Sequence, residues 1–111
     1  MSGDLTDLGR FAEPSLLILV SLSDQPRHGY AIMTDVEELS GTPLGPGTLY
    51  AALARLEARG LIEALPADDR RRPYRITAAG AQSLRAQLEG LDALVRAGLT
   101  RLDQPANMSS T

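Results

Sequence analysis

The residues best suited to chemistry in this sequence are its cations. All 11 are arginine, and three run together as Arg70-Arg71-Arg72, with Arg75 close behind. A guanidinium is charged at any physiological pH and presents a planar fork of donors that matches a phosphate or a guanine edge. The run lies in a polar stretch between two short apolar ones, Leu61 to Leu65 and Pro73 to Ile76, which places three such forks on the tip of a β-hairpin. From there they can reach phosphates or enter a narrow minor groove. Solvated surface is the competing reading of any charge run, and Asp68-Asp69 next door partly neutralise this one. Its position beside the third helix favours nucleic-acid contact.

Other chemistries find little support. The chain has no cysteine, which removes disulfides, thiolate metal sites and cysteine nucleophiles together. His28 is its only histidine, so a zinc site would need that ring plus carboxylates, and neither metal nor cofactor is expected. A lone histidine ahead of a helix is more often a cap or a packing residue than a pH sensor. No Gly-x-Ser-x-Gly turn occurs, and Gly45-Pro46-Gly47 is too short and too proline-bound to cradle a phosphate. Paired acids at useful spacing are missing as well, so an enzyme is not expected. The net charge is −3, and residues 10–76 hold eight arginines against nine acids. Nucleic-acid binding therefore has to rest on where the arginines lie rather than on a basic surface.

The elements that position these residues follow from periodicity and punctuation. With 111 residues the chain suits one domain with one core. Its longest apolar run, Leu16 to Val20, is far short of the roughly 20 residues that span a bilayer. No basic segment followed by an apolar stretch opens the chain, so a cytoplasmic location is expected. Residues 1–9 read as a flexible arm. Pro14 marks a first helix through Leu22, apolar on most sides and therefore central. After the turn Ser23 to Pro26, a second helix runs from about His28 to Ser40 with Ile32, Val36 and Leu39 as its apolar stripe and Gly41 as its cap. A third begins near Pro46 to Thr48 and ends before Gly60. It carries Leu49, Leu53 and Leu56 on one face and the small residues Gly47, Ala51, Ala54 and Ala58 on the other, with Thr48, Arg55 and Arg59 on a flank. The hairpin follows, and Pro73 suggests that its returning strand is an edge or begins late. Thr77 caps a long final helix.

Two helices joined by a tight glycine-containing turn, then a hairpin, form a winged helix-turn-helix. The small face of the third helix suits close approach in a major groove about 12 Å wide, although alanines also suit helix packing. Along the last helix, Leu84, Leu88, Leu91, Val95 and Leu102 follow a heptad seam, widened by Leu94 and Leu99. Intramolecular packing on the first helix is the competing reading of this seam. A helix of about 25 residues outreaches so small a core, and dimerisation is the favoured reading. The expected architecture is mainly α with a small β-hairpin. Residues 10–76 form the winged helix-turn-helix, 77–103 the dimerisation helix and 104–111 a disordered tail.

Three blocks carry a resemblance to a known family. They are His28-Gly29-Tyr30-Ala31-Ile32, the stretch from Gly47-Thr48-Leu49-Tyr50 to Arg59-Gly60-Leu61-Ile62, and Arg72-Pro73-Tyr74-Arg75-Ile76-Thr77-Ala78-Ala79-Gly80. Together they resemble the PadR family of transcription regulators, and the length and single last helix resemble its short subfamily. The resemblance implies a homodimeric repressor that binds an inverted-repeat operator in double-stranded DNA and is often released by a small-molecule effector. It implies that Gly47 to Tyr50 approach DNA, with Tyr50 near the sugar-phosphate backbone, Tyr30 close to a phosphate and the wing arginines along the flanking groove. With these, Ala51, Arg55 and Arg75 complete the candidate DNA-binding set. Ala51 departs from the family, where proline is common at that position. The chain also lacks tryptophan, so it cannot form the tryptophan sandwich by which some drug-sensing relatives hold planar ligands. The alternative reading is a winged-helix protein–protein interaction module that does not bind DNA, which the acidic net charge favours.

Overall fold

A computed structural model describes residues 13–104; the N-terminal arm and nearly all of the C-terminal tail lie outside them. In chain order the elements are α1 (Pro14–Leu22), β1 (Arg27–His28), α2 (Gly29–Ser40), α3 (Pro46–Ala58), β2 (Ile62–Ala64), β3 (Pro73–Ile76) and α4 (Ala78–Leu102). Helices α1, α2 and α3 enclose the core, and the small sheet covers one end. Ile18 and Leu22 from α1, Ile32 and Val36 from α2, Leu49, Ala52, Leu53 and Leu56 from α3, Ile62 from β2 and Leu84 from α4 are all buried together. Each large side chain among them contributes about 2 kcal/mol by leaving water. Leu39, expected on the buried stripe of α2, is exposed. Ile32 and Val36 are the side chains of α2 buried in the core, with Met33 packed against it.

The sheet differs from a simple hairpin. It has three antiparallel strands in the order β1-β3-β2, with Arg27 opposite Tyr74 and His28 opposite Pro73. Strand β3 is thus central, and Pro73 begins it instead of marking an edge. The geometry tolerates this because the ladder to β1 stops at Pro73, which has no N–H with which to extend it, while its carbonyl accepts from Leu65 at 2.8 Å. His28 is extended and stands just before α2, not inside it. A two-residue strand has no periodicity of its own, which is why β1 escapes a reading by pattern. Arg27 holds it down. Its Nε donates to the Ser21 carbonyl at 2.9 Å, and the guanidinium lies 3.2 Å from Asp24 and 3.8 Å from Asp35.

The wing ends in a tight turn. Asp68 and Arg71 exchange both backbone hydrogen bonds, at 2.6 and 2.9 Å. Between them Asp69 and Arg70 take φ of 52° and 71°. Positive φ at both loop positions is the geometry whose twist matches the flanking strands, and glycine or asparagine is its usual occupant. An arginine in the left-handed region costs about 1 kcal/mol.

Helix α4 is seated by a close backbone contact. Thr77 accepts from Gly80 N at 3.0 Å and donates to the Gly60 carbonyl at 2.7 Å, while its own N–H reaches the Leu61 carbonyl at 3.0 Å. Gly60, at φ 74°, ends α3 with the Leu61 amide turned back to the Leu56 carbonyl at 3.0 Å. Gly80 is buried there, and a Cβ on it would run into the Leu61 carbonyl and lie 2.8 Å from Ile76 Cγ1. Leu84, one turn on, is only 5% exposed, so it belongs to the protomer's own core and not to a seam between copies. The rest of α4 leaves the body.

Two substitutions test these statements by urea denaturation. Gly80→Ala should lose about 2 kcal/mol through overpacking, although alanine is normally the better helix former. Gly90→Ala in the same helix, where a Cβ meets nothing within 4 Å, should gain about 0.5–1 kcal/mol. Equal effects at the two sites would refute the close seating of α4. At the wing tip, Arg70→Gly should raise the unfolding midpoint by the equivalent of about 1 kcal/mol; a fall would show that the turn is not left-handed there.

Candidate nucleic-acid interface

The sheet order brings three separate blocks of sequence to one place. A cleft of about 360 Å³ is lined by His28, Gly29 and Tyr30 from the start of α2, Tyr50 from α3, and Arg70, Arg71, Arg72 and Tyr74 from the wing. Five of the residues singled out in the sequence (Tyr30, Tyr50 and the three wing arginines) therefore share one surface. His28, Gly29 and Tyr74 join them unforeseen. The signal for these was the β1–β3 pairing, which is too short to see in the sequence.

Each side chain has a definite setting. Tyr30 is 73% exposed and Tyr50 53%, large values for aromatic rings. Tyr50 lies across the start of α2 so closely that a Cβ on Gly29 would overlap its hydroxyl. Gly29 is what lets the ring of one helix rest on the first turn of the other. Arg71 Nη1 donates to His28 Nε2 at 3.3 Å, which ties the wing to β1. Tyr74 is held above the ordinary tyrosine value, first by burial, then by the charge of Glu57 and by Tyr50, with Arg72 acting in the opposite sense. Its hydroxyl is therefore a neutral donor at physiological pH. The first turn of α2 has no side-chain cap, so its amides offer the positive end of a helix dipole to the same cleft.

The remaining candidates lie around this centre. Gly47, Thr48, Ala51 and Arg55 are all exposed along α3. Gly47 and Ala51 lie opposite buried Leu49, Ala52, Leu53 and Leu56. Thr48 and Arg55 lie on the flank, where Arg55 borders a groove shared with Leu16 and Leu19 of α1 and Ser83 and Gln87 of α4. No side chain caps the start of α3 at Gly45. Arg75 is committed elsewhere, since its Nε donates to Glu63 Oε2 at 2.8 Å across the β2–β3 pair and its Nη2 meets the same oxygen. Beyond Leu84, α4 exposes Leu88, Leu91, Leu94, Val95, Leu99 and Leu102. Among the described residues there is no group of three or more acids and histidines able to hold a metal ion, and no helix is long and apolar enough to cross a membrane.

Comparison with known proteins agrees with this architecture. The model of the transcriptional regulator PadR-like family matches residues 18–86. The transcriptional regulator Rv3488 of Mycobacterium tuberculosis is 42% identical over 84 residues, covering 73% of this chain and 78% of that protein. An uncharacterized 37.1 kDa protein in transposon TN4556 of Streptomyces fradiae is 44% identical over 82 residues, 74% of this chain, and the match spans only 24% of that longer protein. A crystal structure of a PadR family transcription regulator from Clostridium difficile superposes with a TM-score of 0.74 at 26% identity, over 82% of this chain and 99% of that one. The three-helix reader, the wing and the single long last helix thus have one identity: the chain belongs to the PadR-like family of DNA-binding transcriptional regulators and is not an enzyme.

Proposed function

We propose that this regulator is a repressor that binds an inverted-repeat operator as a homodimer. The observation that carries the reading is the unpartnered apolar stripe of α4, which six large side chains expose over four turns. Solvent is a poor neighbour for such a stripe, and a second copy brings the same surface to it, as a two-fold interface requires. Two readers related by a two-fold axis meet half-sites about 34 Å apart, so a palindromic site follows from the symmetry of the protein. Within the described residues every element belongs either to the reader or to the long helix. Blocking the promoter by occupying it is the mode of control this reading assigns.

In this reading Gly47, Thr48, Tyr50 and Ala51 bring α3 into the major groove, where the small residues among them keep the backbone close to the bases. Arg55 lies along the same helix. Tyr30 and the wing arginines Arg70, Arg71 and Arg72 take the flanking phosphates. Arg75 acts through its bond to Glu63, stiffening the wing. A small-molecule effector has room in a groove of about 520 Å³ between the start of α4 and β3, lined by Ile76, Leu84, Arg85 and Leu88 among others. A ligand wedged there would change the angle between α4 and the reader, and with it the spacing of the two readers.

Two experiments test the proposal. Duplexes enriched from a random pool should carry an inverted repeat, and replacing Arg70, Arg71 and Arg72 together by alanine should cut affinity for them at least tenfold. The dependence on salt should also become shallower by about 0.9 in log–log slope for each phosphate that the variant no longer neutralises. Unchanged affinity would refute the wing contacts. Replacing Leu91 and Val95 together by glutamate should leave a folded monomer in sedimentation that no longer binds the repeat. A dimer of unaltered affinity would refute the α4 interface.

A further inference from the structure

The contact between His28 and Arg71 points beyond shape to proton balance. His28 Nε2 is within 3.3 Å of Arg71 Nη1. An arginine can only donate, so the ring is a neutral acceptor in this arrangement. Protonating Nε2 removes the acceptor and sets a second cation against the first. The other residues that line the same cleft are Gly29 and Tyr30 on α2, Arg70 and Arg72 on the wing, Tyr50 on α3 and Tyr74 on β3. No carboxylate lines this cleft; the nearest acids are Glu57, whose charge reaches Tyr74, and Asp68-Asp69 beside the wing arginines, and none of them bonds the ring. A phosphate oxygen placed in the cleft accepts from Arg71, from a protonated His28 and from the uncapped first turn of α2 together.

We propose that His28 is a DNA-binding residue that takes up a proton when phosphate enters the cleft, so that this protein binds DNA more tightly as pH falls. The inference rests on the DNA-binding reading of the cleft and adds to it a residue and a proton. The sign follows from linkage, because a complex that holds one more proton than its free partners is favoured by acid. Imidazole is the side-chain type whose ordinary titration falls between pH 6 and 8.

The chain's single histidine makes the test direct. The ring signal of His28 is followed by NMR against pH, alone and with a mixed-sequence 30-base-pair duplex at low salt. Affinity for the same duplex is measured at constant ionic strength from pH 8 to pH 6. The midpoint of the His28 signal should move to higher pH with duplex bound, and binding should tighten by about fivefold over the range. His28→Gln, which keeps a neutral acceptor for Arg71, should abolish that pH dependence. It should also make the salt dependence at pH 6 shallower by about 0.9 in log–log slope. A His28 midpoint that stays or falls on adding duplex overturns the inference while leaving DNA binding by the cleft intact. So does a His28→Gln protein that keeps the full pH dependence. Failure of the wild-type protein to bind the duplex at any pH would instead overturn the reading of the cleft.

Discussion

The geometry of the molecule depends on a contact in which two backbones meet with no side chain between them. At Gly80, α4 lies directly on the carbonyl of Leu61, and Thr77 ties the same spot to Gly60. Closeness of this kind bars α4 from tilting toward Leu61, where backbone would meet backbone, and leaves the opposite tilt open. Leu61 itself follows immediately on α3, through the left-handed Gly60. The long helix is thus referenced to the end of the recognition helix by three residues, with no flexible linker between them. Any partner held by α4 inherits that direction, and so does its own α3. In the proposed dimer the distance between the two readers would be set at Gly80, away from the cleft of the wing.

Charge is distributed in the same economical way. A chain with net charge −3 has no general attraction for DNA, yet several of its described acids are matched by arginines outside the cleft. Glu63 holds Arg75, Asp24 and Asp35 share Arg27, and on α4 Asp92 holds Arg96 at 3.0 Å. The exposed pairs, Arg75–Glu63 and Arg96–Asp92, add little stability, but all of these pairs keep the acids occupied. Arg70, Arg71 and Arg72 stand apart from these pairs, and the wing turn projects them together. The left-handed Asp69-Arg70 step sacrifices a little stability to hold three guanidinia on one tip.

Much of this was legible in the sequence, and the exceptions have physical reasons. The helices announced themselves through Pro14, Gly41, Gly60 and Thr77, which act locally and need no knowledge of the fold. The small outer face of α3 followed from its period alone. Strand β1 did not, since two residues carry no pattern and are defined only by Tyr74 and Pro73 across from them. The same blind spot hid His28 and Tyr74 from the candidate site and left an edge strand open as one reading of Pro73. Leu84 fitted the heptad as well as Leu88 does, and periodicity cannot say where along a helix the protomer's own core ends. Arg75 had the right type and place for DNA, but its neighbour across the β2–β3 pair takes it.

The stripe of α4 also has a consequence for dosage. If the reader acts only in pairs, the species that binds DNA forms in proportion to the square of the protomer concentration while most copies are single. Occupancy of a promoter then rises slowly at first and steeply later, and falls away just as steeply on dilution by cell growth. The same leucines that hold two copies together would thereby set a threshold of abundance, below which the regulated gene is effectively free.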